Sequence, residues 1–413
     1  MIFYYITILL LPFTKHPLLS YNVGGLTPVK FFGGLALCAA IFEILRKNAI
    51  HGVLKTNIAK CFLVFIIFFY ASIFVNYYDA YSSDTLLRFN SIVIFFITTM
   101  VLVNNRNRFI ISIVLLILCM DIAALYVFRE YFVYGVRYSI NFRAGGILGD
   151  PNYAALNLLT VVPITYLLAK EVINKKSKIF LYGSLFLFIG AIGMTQSRGG
   201  FVGFSVMFCF LFFVHKLNFK MFIFFLLFIP FIIVLLPADI DSRFDTKDFG
   251  AVVSTKSRYE LLVAGFNMTK GNLFFGVGPG NFKPYSRIYN ENVTQNQIAH
   301  NSYISLAGEL GIFGIASFTL LLFLVFTSLK KLARQCAGDQ IICQIAIGMR
   351  AGLVGYLTAA VFLTAEYEKI LWLLSFLTAS AAMFTCYTSE NQVSLLKLQT
   401  PSVTKQVRTR SAR

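Results

Sequence analysis

Long apolar runs recur from one end of the chain to the other, with cores such as "CFLVFIIFFYASIFV" (61–75), "FIISIVLLILCM" (109–120) and "IASFTLLLFLVF" (315–326). A helix of roughly 20 apolar residues reaches across the ~30 Å hydrocarbon core of a bilayer. In lipid only helices and closed barrels satisfy their own backbone groups, and a barrel strand would alternate apolar and polar residues, which these runs do not. The chain therefore reads as an all-α, polytopic membrane protein. Its composition agrees: 58% of residues are hydrophobic and 13% charged, where soluble domains carry about 25% charged residues.

Hydropathy places spans near 3–13, 28–45, 61–77, 87–103, 109–128, 153–169, 179–194, 201–214, 221–236, 303–328, 343–363 and 370–387, about twelve transmembrane helices. Residues 1–13 have neither a basic start nor a small-residue cleavage site, so they read as a short first span or anchor rather than a cleaved signal. The seven cysteines lie mostly inside apolar runs and none falls between 237 and 300, which speaks against a disulfide framework or a cysteine metal site.

The connections alternate in charge. "RKNAIHGVLKTNIAK", "NNRNR", "KEVINKKSK", "HKLNFK" and "KKLARQ" are rich in Lys and Arg, as is the tail ending "KQVRTRSAR", with only Glu43, Glu171, Asp339 and Glu390 as carboxylates on that side. The positive-inside rule puts these segments in the cytoplasm. The net charge of +18 is then mainly an orientation signal and calls for no nucleic acid. Residues 1–388 read as a single transmembrane helical domain. Residues 389–413 read as a basic cytoplasmic tail of a kind that can meet anionic lipid. The opposite, extracytoplasmic face receives 129–152 and a loop over 237–302 between helices 9 and 10, long enough to suggest a function.

Four stretches on that face could carry chemistry. In "TQSRGGFVG" (195–203), Arg198 precedes two glycines. It is either a snorkelling interfacial arginine or an anion site at a helix N-terminus, with the glycines admitting a ligand close to the backbone. In "STKSRYELLVAGFNMTKGNLFFGVGPGNF" (254–282), Ser257 with Glu260 resembles a capping box that would put Arg258 in the first turn of a helix at the membrane surface. The glycines Gly276, Gly278 and Gly280 mark a tight turn with amides to offer; no βαβ unit precedes them, so a dinucleotide fingerprint is not indicated. "DIDSRFDTKD" (239–248) has Arg243 and Phe244 where a calcium loop needs an oxygen ligand and a glycine, and reads as solvated loop.

The fourth stretch, "AHNSYISLAGELGIFGIASF" (299–318), opens on His300 and Asn301. A neutral imidazole can accept a proton from an attacking hydroxyl, although a lone interfacial histidine is more often structural. Ser302 would cap the helix, and Gly308, Gly311 and Gly314 would form a small face for a neighbouring helix. Glu309, about half a rotation round from His300, would pair inside the bundle. Asp121, Arg88 and Arg350 are further charges in or near spans. Arg129, Arg137 and Arg143, set among aromatics in 129–152, suit either sugar phosphates or an interfacial belt.

Taken in order, "SRGG" at a span junction, an arginine-headed loop helix running into "GVGPGNF", and "HNSYISLAGELGIFG" opening a span resemble the O-antigen ligase and polymerase family of bacterial envelope enzymes. The resemblance covers roughly residues 140–330. It implies a location in the bacterial inner membrane with the active site facing the periplasm, and no metal or nucleotide cofactor. The implied partners are a glycan donor linked to undecaprenyl diphosphate, a lipid A-core or glycan acceptor, and membrane lipid. Arg198 and Arg258 match the family's diphosphate-binding arginines and His300 its histidine, with Asn301, Glu309, Gly278, Gly280 and Arg143 as supporting candidates. Where many members carry a tryptophan after the loop arginine and a proline before the glycine turn, this chain has Leu262 and Asn272. The leading expectation is an inverting O-antigen ligase. The alternative is an O-antigen or exopolysaccharide polymerase joining lipid-linked repeats. A twelve-helix transporter is a third reading, for which the chain shows no evident two-fold internal repeat.

Overall fold

The computed structural model describes residues 1–15, 27–47, 53–76, 79–135, 142–215, 249–336 and 338–399. All elements among them are helical: α1 (Ile2–Leu9), α2 (Pro28–Lys47), α3 (Asn57–Val75), α4 (Asp79–Leu102), α5 (Arg106–Glu130), α6 (Pro151–Glu171), α7 (Lys175–Thr195), α8 (Arg198–His215), α9 (Phe249–Gly271), α10 (Phe282–Tyr289), α11 (Ser302–Gln335), α12 (Gln340–Ala359) and α13 (Lys369–Gln399). Eight of them are long and apolar enough to cross a membrane, and Arg198–Val214 and Lys369–Phe384 are shorter apolar helices. The protein is a multi-pass membrane protein.

The count of twelve spans is not reproduced as such. The expected first span resolves into the 8-residue α1 followed by a 3-10 turn over Leu11–Lys15. At 1.5 Å per residue, α1 is far too short to cross the bilayer alone. The expected ninth span, 221–236, lies outside the described residues, as do "DIDSRFDTKD" and Arg137. So does the end of the tail: α13 carries helical backbone on to Gln399, and 400–413 are not described.

Helix starts follow the local chemistry of capping. Thr56, Asn105, Asp150, Asn174 and Asp339 each accept a first-turn amide with a side-chain oxygen, satisfying donors that the helix itself leaves open. Within the bundle α6 and α12 lie backbone to backbone: a Cβ on Gly352 would stand 2.2 Å from the Thr160 carbonyl oxygen. Polar side chains between helices act as fasteners. Ser184 donates to Asp121 at 2.9 Å, joining α5 to α7, and the Arg350 guanidinium lies over the Phe326 ring at 4.5 Å and over Phe210 at 5.4 Å. At the end of α5 remote from Glu130, Arg106 grips Asp339 in a two-pronged ion pair that holds this carboxyl below its ordinary range.

The described part of the long loop is folded. Leu261, Ala264 and Met268 of α9 are buried with Val277, Phe282, Val293 and Ala299 in a core of their own, with Ile304 at the start of α11 packed against it. This small core fixes the stretch leading into His300 relative to α11.

Candidate functional site

The break in α11 organises this end of the molecule. Gly311 has φ +66°, ψ −164°, so the helix stops and restarts there. The carbonyls of Gly308 and Glu309 accept instead from the amides of Val277 and Gly278, both at 2.9 Å, and Ile312 N–H donates back to the Leu273 carbonyl at 2.8 Å. The "GVGPGN" turn is thus docked into the broken helix. Gly276, at φ +65°, lies where an added Cβ would stand 2.3 Å from the Glu309 carbonyl carbon. Ser72 donates to the Phe275 carbonyl at 2.6 Å, Asn76 to that of Gly276 at 2.9 Å, and Asn281 to that of Asn76 at 3.1 Å. Such irregular backbone is tolerated in a membrane protein where protein groups saturate it.

Several expectations change accordingly. The amides of the glycine turn are spent on protein rather than offered to a ligand: Gly278 holds the Glu309 carbonyl, and Gly280 and Phe282 direct theirs at the Glu309 carboxylate, Phe282 at 3.3 Å. Glu309 is buried and meets backbone donors, not an opposing charge. Gly308 and Gly311 make room for this turn and for Met268 and Phe282 rather than for a neighbouring spanning helix.

The "SRGG" junction is built in the same economical way. Gln196 ends α7 in the left-handed region at φ 48°. Buried Ser197 donates to Asn152 Oδ1 at 2.8 Å and accepts from Gly200 N–H at 3.2 Å, so it caps α8. Arg143 donates to the same Asn152 oxygen at 2.8 Å and to the Thr195 carbonyl at 3.2 Å. It therefore braces the junction from below. Gly199 and Gly200 were expected to admit a ligand; their open sides are filled by Phe362 and Ala155. Arg198, the first residue of α8, is exposed.

Arg258 also differs from expectation. Helix α9 begins at Phe249, so Ser257 and Glu260 lie within it and form no capping box. Ser257 instead meets Gln297 at 3.4 Å, and Glu260 accepts from Asn290 at 2.8 Å, both tying α9 to the segment that leads to His300. Arg258 lies exposed beside them, close enough to Arg198 for the two charges to interact. Partial burial first, and the Arg198 charge second, hold its guanidinium below the ordinary arginine range. Neither arginine forms a salt bridge among the described residues.

His300 sits at φ 49°, a left-handed conformation uncommon outside glycine. The other described non-glycine residue of this kind is Gln196, on the neighbouring junction. Its helix is capped by Asn301, which accepts from Tyr303 and Ile304 N–H at 3.0 and 3.1 Å, and not by Ser302 as expected. An N-cap needs an extended backbone, which Asn301 supplies at φ −156°. Ser302 is already helical and clamps the 363–365 segment, donating to Leu363 O at 2.7 Å and accepting from Ala365 N–H at 2.8 Å. Burial and the nearby Arg258 charge push the imidazole below its ordinary range, and Asp150 pulls in the opposite direction. A mostly neutral imidazole at neutral pH follows.

The fold thus places Arg258 within electrostatic reach of both Arg198 and His300, the three being drawn from separate segments. Asp150 reaches His300 as well. Sequence reading passed over it because "GDPN" looks like nothing more than a helix start, which it also is: Asp150 accepts from Asn152 and Tyr153 N–H.

Residues 183–319 match the family model described as O-antigen ligase. That segment contains Arg198, Arg258, the glycine turn, His300 and Glu309, whereas Arg143 and Asp150 precede it. No curated protein matches the chain. The protein is O-antigen ligase-like in this segment, and members of that family are membrane enzymes that act on lipid-linked glycans.

Proposed function

We propose that the protein is an inverting glycosyltransferase that moves an O-antigen or similar polysaccharide from undecaprenyl diphosphate to a sugar hydroxyl of a lipid A core. The observation that carries this reading is a pair of neighbouring arginines, neither in a salt bridge among the described residues, of which Arg258 stands near a histidine biased toward its neutral form. Two like charges held near each other are costly unless an anion joins them, and guanidinium groups bind diphosphate through paired, charge-assisted hydrogen bonds.

In this reading His300 takes the proton from the acceptor hydroxyl. The acceptor oxygen forms a bond to the anomeric carbon as the bond from that carbon to the diphosphate oxygen breaks. The electron pair leaves on the diphosphate, whose added charge Arg198 and Arg258 neutralise. Attack opposite the leaving group inverts the anomeric centre. Diphosphate is already a good leaving group, so the step calls on no general acid. The alternation of basic connections supports an orientation in the inner membrane with this site toward the periplasm.

Deletion of the coding region, followed by gel analysis of lipopolysaccharide, tests the reading. Loss of every O-antigen rung with accumulation of lipid-linked chains is expected. A core bearing a single repeat would instead identify a polymerase acting through the same site chemistry, and an unaltered ladder would exclude both.

A further inference from the structure

A cavity of about 460 Å³ lies next to the arginine and histidine site, lined among others by Glu309, Glu366, Thr364, Tyr367, Asn157 and Ala299, the neighbour of His300. Its size is in the range of small-ligand sites, roughly 300–1,000 Å³. It adjoins the proposed chemistry through Tyr153, which also lines it and lies within electrostatic reach of both Asp150 and Glu366.

Its polar lining is unsatisfied to an unusual degree. Among the described residues, eight buried side-chain oxygen or nitrogen atoms have no hydrogen-bond partner, and five of these belong to this cavity: Asn157 Oδ1, Glu309 Oε2, Thr364 Oγ1, Glu366 Oε2 and Tyr367 Oη. Glu309 is 5% exposed, Glu366 2% and Asn157 1%. Burying such atoms unpaired costs on the order of 1–3 kcal/mol each, so a cluster of five points to a ligand that completes them. Burial also pushes the Glu366 carboxyl up to about 7, despite hydrogen bonding that works the other way.

The chemistry of the five atoms selects the ligand. The Asn157 amide oxygen accepts only, the two hydroxyls donate or accept, and a carboxyl whose protonation burial favours, as at Glu366, can do either. A phosphate offers mainly acceptors, and the four carboxyl groups that line the cavity, of Asp84, Glu309, Glu366 and Glu368, outnumber its cations Arg88, Lys283 and Lys369. A lipid tail offers nothing. A ring bearing several O–H groups supplies donors and acceptors together. We infer that this cavity is a sugar-binding subsite, holding a hexose-type ring through its hydroxyls with Glu309 and Glu366 as hydrogen-bond partners. The inference rests on the glycosyltransfer reading for the origin of the sugar, which can be the acceptor or the donor chain, but not for its chemistry.

The chain has a single tryptophan, and Trp372 donates from Nε1 to the Glu366 carbonyl at 2.9 Å. It is bonded to a residue of the cavity wall and so serves as a built-in reporter. Purified full-length protein is titrated with D-glucose, D-galactose or N-acetylglucosamine, and with inorganic diphosphate as the anion control, while Trp372 fluorescence is followed. The expected result is a saturable change with at least one sugar and none with diphosphate. Glu366→Gln and Tyr367→Phe should each weaken that response about tenfold, the worth of one buried hydrogen bond to a charged or polar partner. Tyr367→Phe keeps the ring that packs edge-on against Phe69 and Phe89, so it serves if Glu366→Gln does not fold.

In a transfer assay the same variants should raise KM while kcat changes little. A rise in the acceptor KM assigns the sugar to the acceptor, and a rise in the donor KM assigns it to the donor chain. A cavity that merely holds water predicts no sugar response and unchanged KM values, and that outcome overturns the inference even if transfer proceeds. Sugar binding by a protein that transfers nothing leaves the subsite standing and removes the ligase reading instead.

Discussion

The Arg258 guanidinium stands close enough to His300 for its charge to depress the imidazole's affinity for a proton, while Asp150 acts on the same ring in the opposite sense. Helix α9 brings the first, the cap of α6 the second. One proton-accepting group is thus poised between two opposed charges that come from different parts of the chain.

The pH dependence of transfer should follow from that balance. Protonating His300 removes the base, so kcat/KM should fall on the acid side with a midpoint below about 6.5, the ordinary histidine value. Asp150→Asn keeps a capping oxygen but removes the charge that raises the imidazole pKa, so the limb should move to lower pH. Arg258→Gln removes a charge that lowers it, so the residual activity should titrate at higher pH. A limb that stays in place in both variants would sink the assignment of His300 as the titrating base.

His300→Ala should reduce transfer by about 10²–10⁴-fold, the usual contribution of a general base, while the protein still inserts and accumulates. Membrane yield and Trp372 fluorescence check the fold. Near-normal transfer would reject the role.

Arg198→Lys and Arg258→Lys keep a positive charge but lose the planar fork, and each should lower kcat/KM for the lipid-linked donor by roughly 10–100-fold. If the arginines only snorkel at the interface, lysine should serve equally well and the kinetics should be unchanged.

Gly276→Ala adds a side chain at φ +65°, against the Glu309 backbone. Strain of this kind costs on the order of 1–3 kcal/mol before the clash is counted, so the unfolding temperature in detergent should drop and transfer should drop with it. Asn301→Ala should cost about 0.5–2 kcal/mol through loss of the α11 cap. A stability loss confined to Ser302→Ala would show that the cap is misassigned.

Much of the fold was legible without coordinates because hydropathy acts over a few residues. The apolar runs placed ten helices among the described residues that are apolar enough to enter a bilayer. The same locality misled where a tertiary partner intervened. Ser257 with Glu260 has the right spacing for a capping box, yet the helix starts upstream and both side chains reach across to Gln297 and Asn290. The glycines of "SRGG" looked like ligand contacts, and it is Ala155 and Phe362 that occupy the space beside them.

The sequence alone determined a helical, multi-pass membrane protein, and its resemblance to a family singled out Arg198, Arg258 and His300. Whether those residues meet was decided by the tertiary structure, because it depends on atoms far apart in the chain. At the break at Gly311, Val277 and Gly278 supply the hydrogen bonds that the helix gives up at Gly308 and Glu309. The cavity walled by Glu309 and Glu366 is lined by α11 and by residues 364–370, and Ser302 clamps the start of α11 to the 363–365 segment. Local pattern fixes which backbone groups a helix can satisfy by itself; where it leaves them open, distant parts of the chain complete them, and here that completion shapes the site.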